Sequence, residues 1–313
     1  MEYRNLGRSG LQVSVVGLGC NNFGRRIGPE EARAVVEKAL ELGVNFFDTA
    51  NVYGGNGRSE EILGEILQGR RHEVVIATKF GNPMGEGPMQ RGGSRRHIIE
   101  QVEASLRRLR TDYIDLYQMH VPDPSTPIEE TLRALDDLVR AGKVRYIGNS
   151  NFAGWQVVQA HYIAEMKGLT PFVSAQNEYS LLNRTIEREL IPACEACGLG
   201  ILPYFPLASG LLTGKYRRGE PPPPGTRLAA WPAADRLLTD RNFDIIERLT
   251  EFAQARGHTL LDLAIGWLAT KPYISSVIAG ATKPEQVEQN VKAAEWRLTA
   301  EEMAEVDAIT RPA

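Results

Sequence analysis

Hydrophobic residues along the chain fall into short, nearly continuous runs. Longer segments between them place hydrophobic residues every three or four positions. The runs are LQVSVVGLG, VNFFD, EVVIATK, YIDLYQMH, KVRYIGNSN, PFVSAQNEY, GILPYFPL and ISSVIAG. Several of these runs are almost continuously apolar, which predicts strands covered on both faces, as in a parallel sheet. The intervening segments predict helices. GPEEARAVVEKALELG has Pro29 at its start and Gly43 at its end, SEEILGEIL has Ser59 as a cap, and TPIEETLRALDDLVRAG has Thr126 as a cap with Pro127 at its first position. SRRHIIEQVEASLRRL, WQVVQAHYIAEMKG, TIERELIPACEACG and KPEQVEQNVKAA repeat the helical spacing, and NFDIIERLTEFAQARG, TLLDLAIGWLAT and TAEEMAEVDAIT add further helices.

EYRNL and LQVSVVGLG flank the turn GRSG, a predicted hairpin. Eight strands, near Val15, Asn45, Val74, Ile114, Val144, Phe172, Ile201 and Ile274, are each followed by at least one helix. That succession predicts an α/β fold, a (β/α)8 TIM barrel spanning 1–313 as one domain. The N-terminal hairpin would close its bottom, with extra helices toward the C-terminus. A doubly wound Rossmann sheet is the competing architecture. The segment 206–241, with its run Pro221 to Pro224, reads as a long loop.

Composition narrows the class of partner. Hydrophobic residues make up 42% and charged residues 24%, and the net charge is 36 − 39 = −3. This balance points away from nucleic acid and from an anionic membrane surface. No apolar run approaches the ~18 residues of a membrane span, and MEYRNLGRSG has no secretory pattern. Three cysteines do not make a disulfide framework, so a cytoplasmic protein is expected.

Two motifs carry little. GLGCNNFG approximates the dinucleotide fingerprint, but Asn22 stands where the third glycine belongs, and the helix starts only near Pro29. CEAC, Cys194 to Cys197, sits at the end of a helix rather than at its start, so a structural role is expected. The strand ends say more, because barrel active sites lie at the C-terminal ends of the strands. The second, third and fourth strands end in Asp48, Lys79 and His120, with Tyr53 in the loop above. A buried Lys79 requires a counter-charge, which Asp48 supplies. A cation beside Tyr53 would lower its pKa from about 10 and make it a better proton donor near neutral pH. His120 would orient a substrate oxygen. No set of metal ligands is visible, and a site that can give a proton to a developing alkoxide but holds no reductant would need a cofactor that brings a hydride.

At these residues the sequence resembles the aldo-keto reductases, NAD(P)H-dependent oxidoreductases on a (β/α)8 barrel. FFDTANVYGGNGRSEEILGEIL, VVIATK and DLYQMHVPDP carry the likeness, which covers nearly the whole chain. The resemblance implies Tyr53 as general acid, completed by Asp48, Lys79 and His120. It also implies NADPH as cofactor and an aldehyde or ketone as substrate. In IGNSNF, Ser150 and Asn151 would hold the nicotinamide carboxamide together with Gln176, and Tyr204 would stack on the ring. Pro206, Leu207, Ser209, Gly210, Leu212 and Lys215 would line the pyrophosphate. In GATKPEQVEQN, Thr282 and Lys283 would meet the 2′-phosphate and Gln289 and Asn290 the adenine. Gly19, Gly280 and Gln286 complete the implied cofactor wall. The family often has an arginine near Gln286, so the neutral side chain here softens the preference for NADPH. CNNFG also departs from the usual loop, which makes Asn21 and Phe23 candidate substrate contacts beside Tyr53 and His120. The loop GNPMGEGPMQRGGSRR either faces substrate or is solvated. A different kind of function stays open: an NADPH-binding regulatory protein, like the channel-associated branch of the same superfamily, with weak catalysis. The oligomeric state is left open.

Overall fold

The computed structural model describes residues 1–231 and 234–311. The chain opens with the hairpin β1 (Tyr3–Asn5) and β2 (Gln12–Ser14), then enters the barrel with β3 (Val16–Gly19), α1 (Pro29–Glu41) and β4 (Phe46–Asp48). A single turn, α2 (Tyr53–Asn56), leads into α3 (Arg58–Ile66). The alternation continues with β5 (Val75–Phe80), α4 (Arg95–Leu109), β6 (Ile114–Met119), α5 (Ile128–Arg140), β7 (Val144–Ser150) and α6 (Gly154–Lys167). It proceeds through β8 (Ser174–Glu178), α7 (Leu190–Cys197), β9 (Gly200–Tyr204), α8 (Asp240–Gln254) and α9 (Leu260–Thr270). It ends with β10 (Val277–Gly280), α10 (Pro284–Ala293) and α11 (Ala300–Thr310). Eight strands pair in parallel in the order β10-β3-β4-β5-β6-β7-β8-β9. The ring shuts between β9 and β10, where Ile201 bridges Ile274 and bonds to both Tyr273 O and Ser275 N. This is the barrel, not the open Rossmann sheet.

Strand periodicity sorts the side chains. Phe46, Ala77, Leu116, Leu202 and Ile278 point into the barrel, whereas Phe47, Ile76, Tyr117, Ile147 and Ile201 pack outward against the helices. Two residues beyond Phe46, Ala77, Leu116 and Leu202 come the polar groups Asp48, Lys79, Gln118 and Tyr204, and β8 contributes Gln176. The lower interior is thus an apolar plug and the upper layer is polar. The hairpin seals the lower end: Leu6 and Val13 join the apolar plug, and Arg4 donates to the carbonyls of Ala269, Lys271 and Ile274. Gly7, at φ +57, passes so close to the barrel that a Cβ there would lie 2.5 Å from the Val173 carbonyl oxygen. The added helices α8 and α11 are joined through Arg256, which reaches Glu302 at 3.2 Å and Glu305 at 3.0 Å.

Some expected boundaries move. Ser59 lies inside α3, which begins at Arg58, and its hydroxyl serves tertiary contacts to Thr49 and Cys20 instead of capping. Pro127 is itself the N-cap of α5, and the Thr126 hydroxyl donates to Asp123. The last strand is Val277–Gly280, with Ile274 only bridging at the seam. Cys194 and Cys197 are buried free thiols at the end of α7, as a structural role requires. Among the described residues, no helix is long and apolar enough to cross a membrane.

Candidate active site

The upper ends of β4, β5 and β6 bring together the three ionisable groups expected there. Asp48 closes β4, Lys79 is the penultimate residue of β5, and His120 follows β6 directly, its amide bonded to Phe80 O at 2.8 Å. Tyr53 is carried over them by α2. Gly54 (φ +73) allows this, because a Cβ there would stand 2.6 Å from Phe23 O and 2.9 Å from Ser59 N.

Lys79 Nζ donates to Asp48 Oδ2 at 2.6 Å and to the Thr49 carbonyl oxygen at 2.9 Å, and lies 3.4 Å from the Tyr53 hydroxyl. The pair is sealed: side-chain exposure is 0% for Lys79 and 4% for Asp48. Burial works against the Lys79 ammonium, but the Asp48 carboxylate and the Tyr53 hydroxyl outweigh it and hold the pKa above the usual lysine value. For Tyr53 the balance differs from expectation. Burial pushes the phenol up, Lys79 pulls it down, and Asp48 opposes Lys79, so the net direction is upward. The lysine limits the rise; it does not produce a depressed tyrosine.

The His120 ring meets Tyr53 edge-on, with centroids 5.7 Å apart, and its Nδ1 is buried without a partner. Burial, reinforced by the Lys79 charge, lowers its pKa to about 3, so it stands as a neutral imidazole at physiological pH. The folded pKa is depressed below the unfolded 6.5. The unfolded chain therefore takes up a proton first, and stability is complete above pH 6.5 and lost as pH falls toward about 3, at up to ~1.4 kcal/mol per pH unit. His97, also lowered by burial, adds loss of the same sign. We expect the urea midpoint, followed by circular dichroism, to fall less between pH 7 and pH 4.5 in His120→Asn than in the unaltered chain. An identical fall would contradict this assignment.

A cleft of about 1170 Å³ runs from Tyr53 and His120 across the barrel mouth to α10. Its wall contains Gly19, Asn21, Ser150, Asn151, Gln176 and Tyr204, then Pro206, Leu207, Ser209, Gly210 and Lys215. At the far end stand Gly280, Thr282, Lys283, Gln286, Gln289 and Asn290. Lys79 stands behind this wall and touches it through Tyr53 and Asp48. Asn151, at φ +61, is already engaged: its Nδ2 donates to His120 O at 2.9 Å, and its Oδ1 accepts from the Tyr204 hydroxyl at 2.8 Å. Gln176 Nε2 donates to Asp48 Oδ1 at 2.8 Å. After β9 the backbone takes positive φ at Phe205, Ala208, Ser209 and Gly210. Such conformations cost roughly 1–3 kcal/mol each for non-glycine residues and gather at functional sites. Gln286 Oε1 accepts from Thr282 N at 2.8 Å at the start of α10.

Two expected contacts are corrected. Phe23 is fully buried beneath its loop and does not reach the cleft, which Asn21 and Asn22 line instead. Leu212 is likewise buried; its neighbour Thr213 faces the cleft. Arg25, Arg26 and Arg227, which the motifs did not select, also line the mouth. Arg227 lies over the Phe205 ring at 4.8 Å, and Arg26 donates to Gly225 O at 3.1 Å. Their only sequence signal is a pair of adjacent arginines and a lone one after a proline run.

A family model described as "Aldo/keto reductase family" matches residues 15–311. An uncharacterized oxidoreductase of Bacillus subtilis (strain 168) is 41% identical, over 96% of this chain and 93% of its own. A protein of Oryza sativa subsp. japonica named as a probable voltage-gated potassium channel subunit beta is 40% identical, over 99% of this chain and 97% of its own. The L-glyceraldehyde 3-phosphate reductase of Escherichia coli O157:H7 is 36% identical, over 98% and 92%.

Proposed function

Because the chain belongs to the aldo/keto reductase family, we propose that it reduces aldehydes and ketones to alcohols with NADPH, and that Tyr53 gives the proton. Family membership itself makes the chain an oxidoreductase of carbonyl groups whose relatives generally use NAD(P)H. The observation that carries the finer reading is the Tyr53 hydroxyl, 3.4 Å from an ammonium that is itself locked to Asp48 at 2.6 Å, at the edge of the cleft.

The cleft suits a long anionic cofactor. Its cations Arg25, Arg26, Lys215, Arg227 and Lys283 have no carboxylate partner among the described residues, and its only acid, Asp48, is already paired. The N-terminus of α10 adds a favourable dipole end behind Lys283. When bound, the nicotinamide supplies a hydride. The chain supplies the rest. Neutral His120 offers a ring N–H to the carbonyl oxygen, and Tyr53 O–H delivers the proton to that oxygen as it becomes an alkoxide. Lys79 stabilises the phenolate left behind, and Asp48 keeps Lys79 charged and fixed.

The purified protein should consume NADPH with 4-nitrobenzaldehyde in a spectrophotometric assay, and no turnover across a panel of aldehydes would sink the reading. Lys283→Met should lower the preference for NADPH over NADH by roughly tenfold or more, the scale of one charge-assisted hydrogen bond. An unchanged preference would remove Lys283 from the 2′-phosphate site. The likeness to proteins named as channel beta subunits supports a second reading, an NADPH-binding subunit with weak catalysis. Tight NADPH binding with negligible turnover and a co-purifying partner would favour it.

A further inference from the structure

Gln118 has no part in the proton path, yet it is fully buried in the polar layer, paired in register with Lys79. A buried amide must have partners. Gln118 Nε2 lies 3.3 Å from Asp48 Oδ1, and its Oε1 lies 3.4 Å from Gln176 Nε2. Gln176 Nε2 lies 2.8 Å from the same Asp48 oxygen. Across the sheet, Gly148 leaves the room: a Cβ there would stand 3.3 Å from Gln118 Cγ and 2.4 Å from Ser174 Oγ.

The orientation of both amides follows from chemistry. The Asp48 carboxylate, salt-bridged to Lys79 at 2.6 Å, offers only acceptors to the two amides. Gln118 and Gln176 must therefore both turn their NH2 groups to it. The Gln176 NH2 has two hydrogens and finds two acceptors, Asp48 Oδ1 and Gln118 Oε1. Its own oxygen is then left for the cleft, which Gln176 lines. An oxygen there accepts from an NH2 group and repels a second acceptor. With an apolar residue at 118, one Gln176 N–H loses its acceptor and the amide is held from one side only.

We propose that Gln118 is a positioning residue: it fixes the Gln176 amide with its oxygen toward the cleft, so that the site selects a pyridine nucleotide bearing a primary carboxamide. This rests on the NADPH reading above. Calorimetric titration of the full chain with NADP⁺ and with its 3-acetylpyridine analogue, in which a methyl replaces the carboxamide NH2, tests it without turnover. The readout is the Kd of the analogue divided by that of NADP⁺. The unaltered protein should give a ratio of about ten or more, and Gln118→Met should reduce that ratio about fivefold, the range of one hydrogen bond between neutral groups. An unchanged ratio in Gln118→Met overturns the positioning role and leaves the cofactor reading standing. A ratio near one in the unaltered protein also overturns it, since Gln176 then does not read the carboxamide. Failure to bind either nucleotide overturns the NADPH reading and the positioning role together. Should Gln118→Met not fold, Gln118→Leu takes its place. Failure of both to fold would make Gln118 a residue of the fold and overturn the assignment.

Discussion

Tyr53→Phe is expected to lower kcat for aldehyde reduction by roughly a thousandfold, within the ~10²–10⁴ range of a positioned general acid. NADPH should still bind with a similar Kd. The change removes one oxygen and keeps the ring, so the edge-on contact with His120 and the turn at Gly54 persist. What disappears is the only protein O–H that both faces the cleft and lies within 3.4 Å of Lys79 Nζ among the described residues. His120 does not replace it, because its ring is held neutral and gives a hydrogen bond rather than a proton. The measurement is the single-turnover rate of NADPH consumption, with Kd from nucleotide fluorescence. Turnover within a few-fold of the unaltered enzyme would remove Tyr53 from its assigned role.

Lys79→Met should cost both activity and stability. The substitution leaves the Asp48 carboxylate buried without its cation, a change that typically costs about 3–5 kcal/mol. Gln118 and Gln176 still donate to Asp48 Oδ1, so a loss at the lower end of that range is expected. The combination Asp48→Asn with Lys79→Met removes the stranded charge and should recover most of the stability. It should recover none of the activity, since Tyr53 then has no cation beside its departing proton. Urea denaturation of the three proteins, alongside their rates, separates the two effects. A double variant no more stable than Lys79→Met would show that the ion pair is not what the fold depends on here.

The barrel and the meeting of Asp48, Tyr53, Lys79 and His120 at its upper end were legible because each rests on a local rule. Inward-facing strand positions alternate, and Asp48, Lys79 and His120 stand at or beside the upper ends of β4, β5 and β6. Less legible was anything set by the third dimension. Phe23 looked like pocket wall, but the loop folds its aromatic ring beneath the backbone, where burial favours it, and leaves the asparagines outside. Leu212 stood in a motif of cleft residues, yet the kinked turns after Leu207 rotate it into the core. Ser59 had a cap's identity, but Gly57 in the left-handed region takes the N-cap of α3 two residues earlier. The direction of the Tyr53 shift depended on the extent of burial, which a motif does not carry. Arg227 comes from a proline-rich loop whose course over Phe205 no periodicity announces.

The seam between β9 and β10 makes the ring mechanically uneven. Its two backbone bonds at Ile201 are all that ladder the two edges together at that bridge. By contrast, β6 and β7 hold each other through register pairs from Ile114 to Met119. The barrel is thus a band with a clasp, and the clasp lies between the two strands that lead into the half of the cleft lined by Lys215, Arg227 and Lys283. On the cofactor reading proposed above, the seam held by the single bridge thus lies on the side where a long nucleotide would be admitted and released.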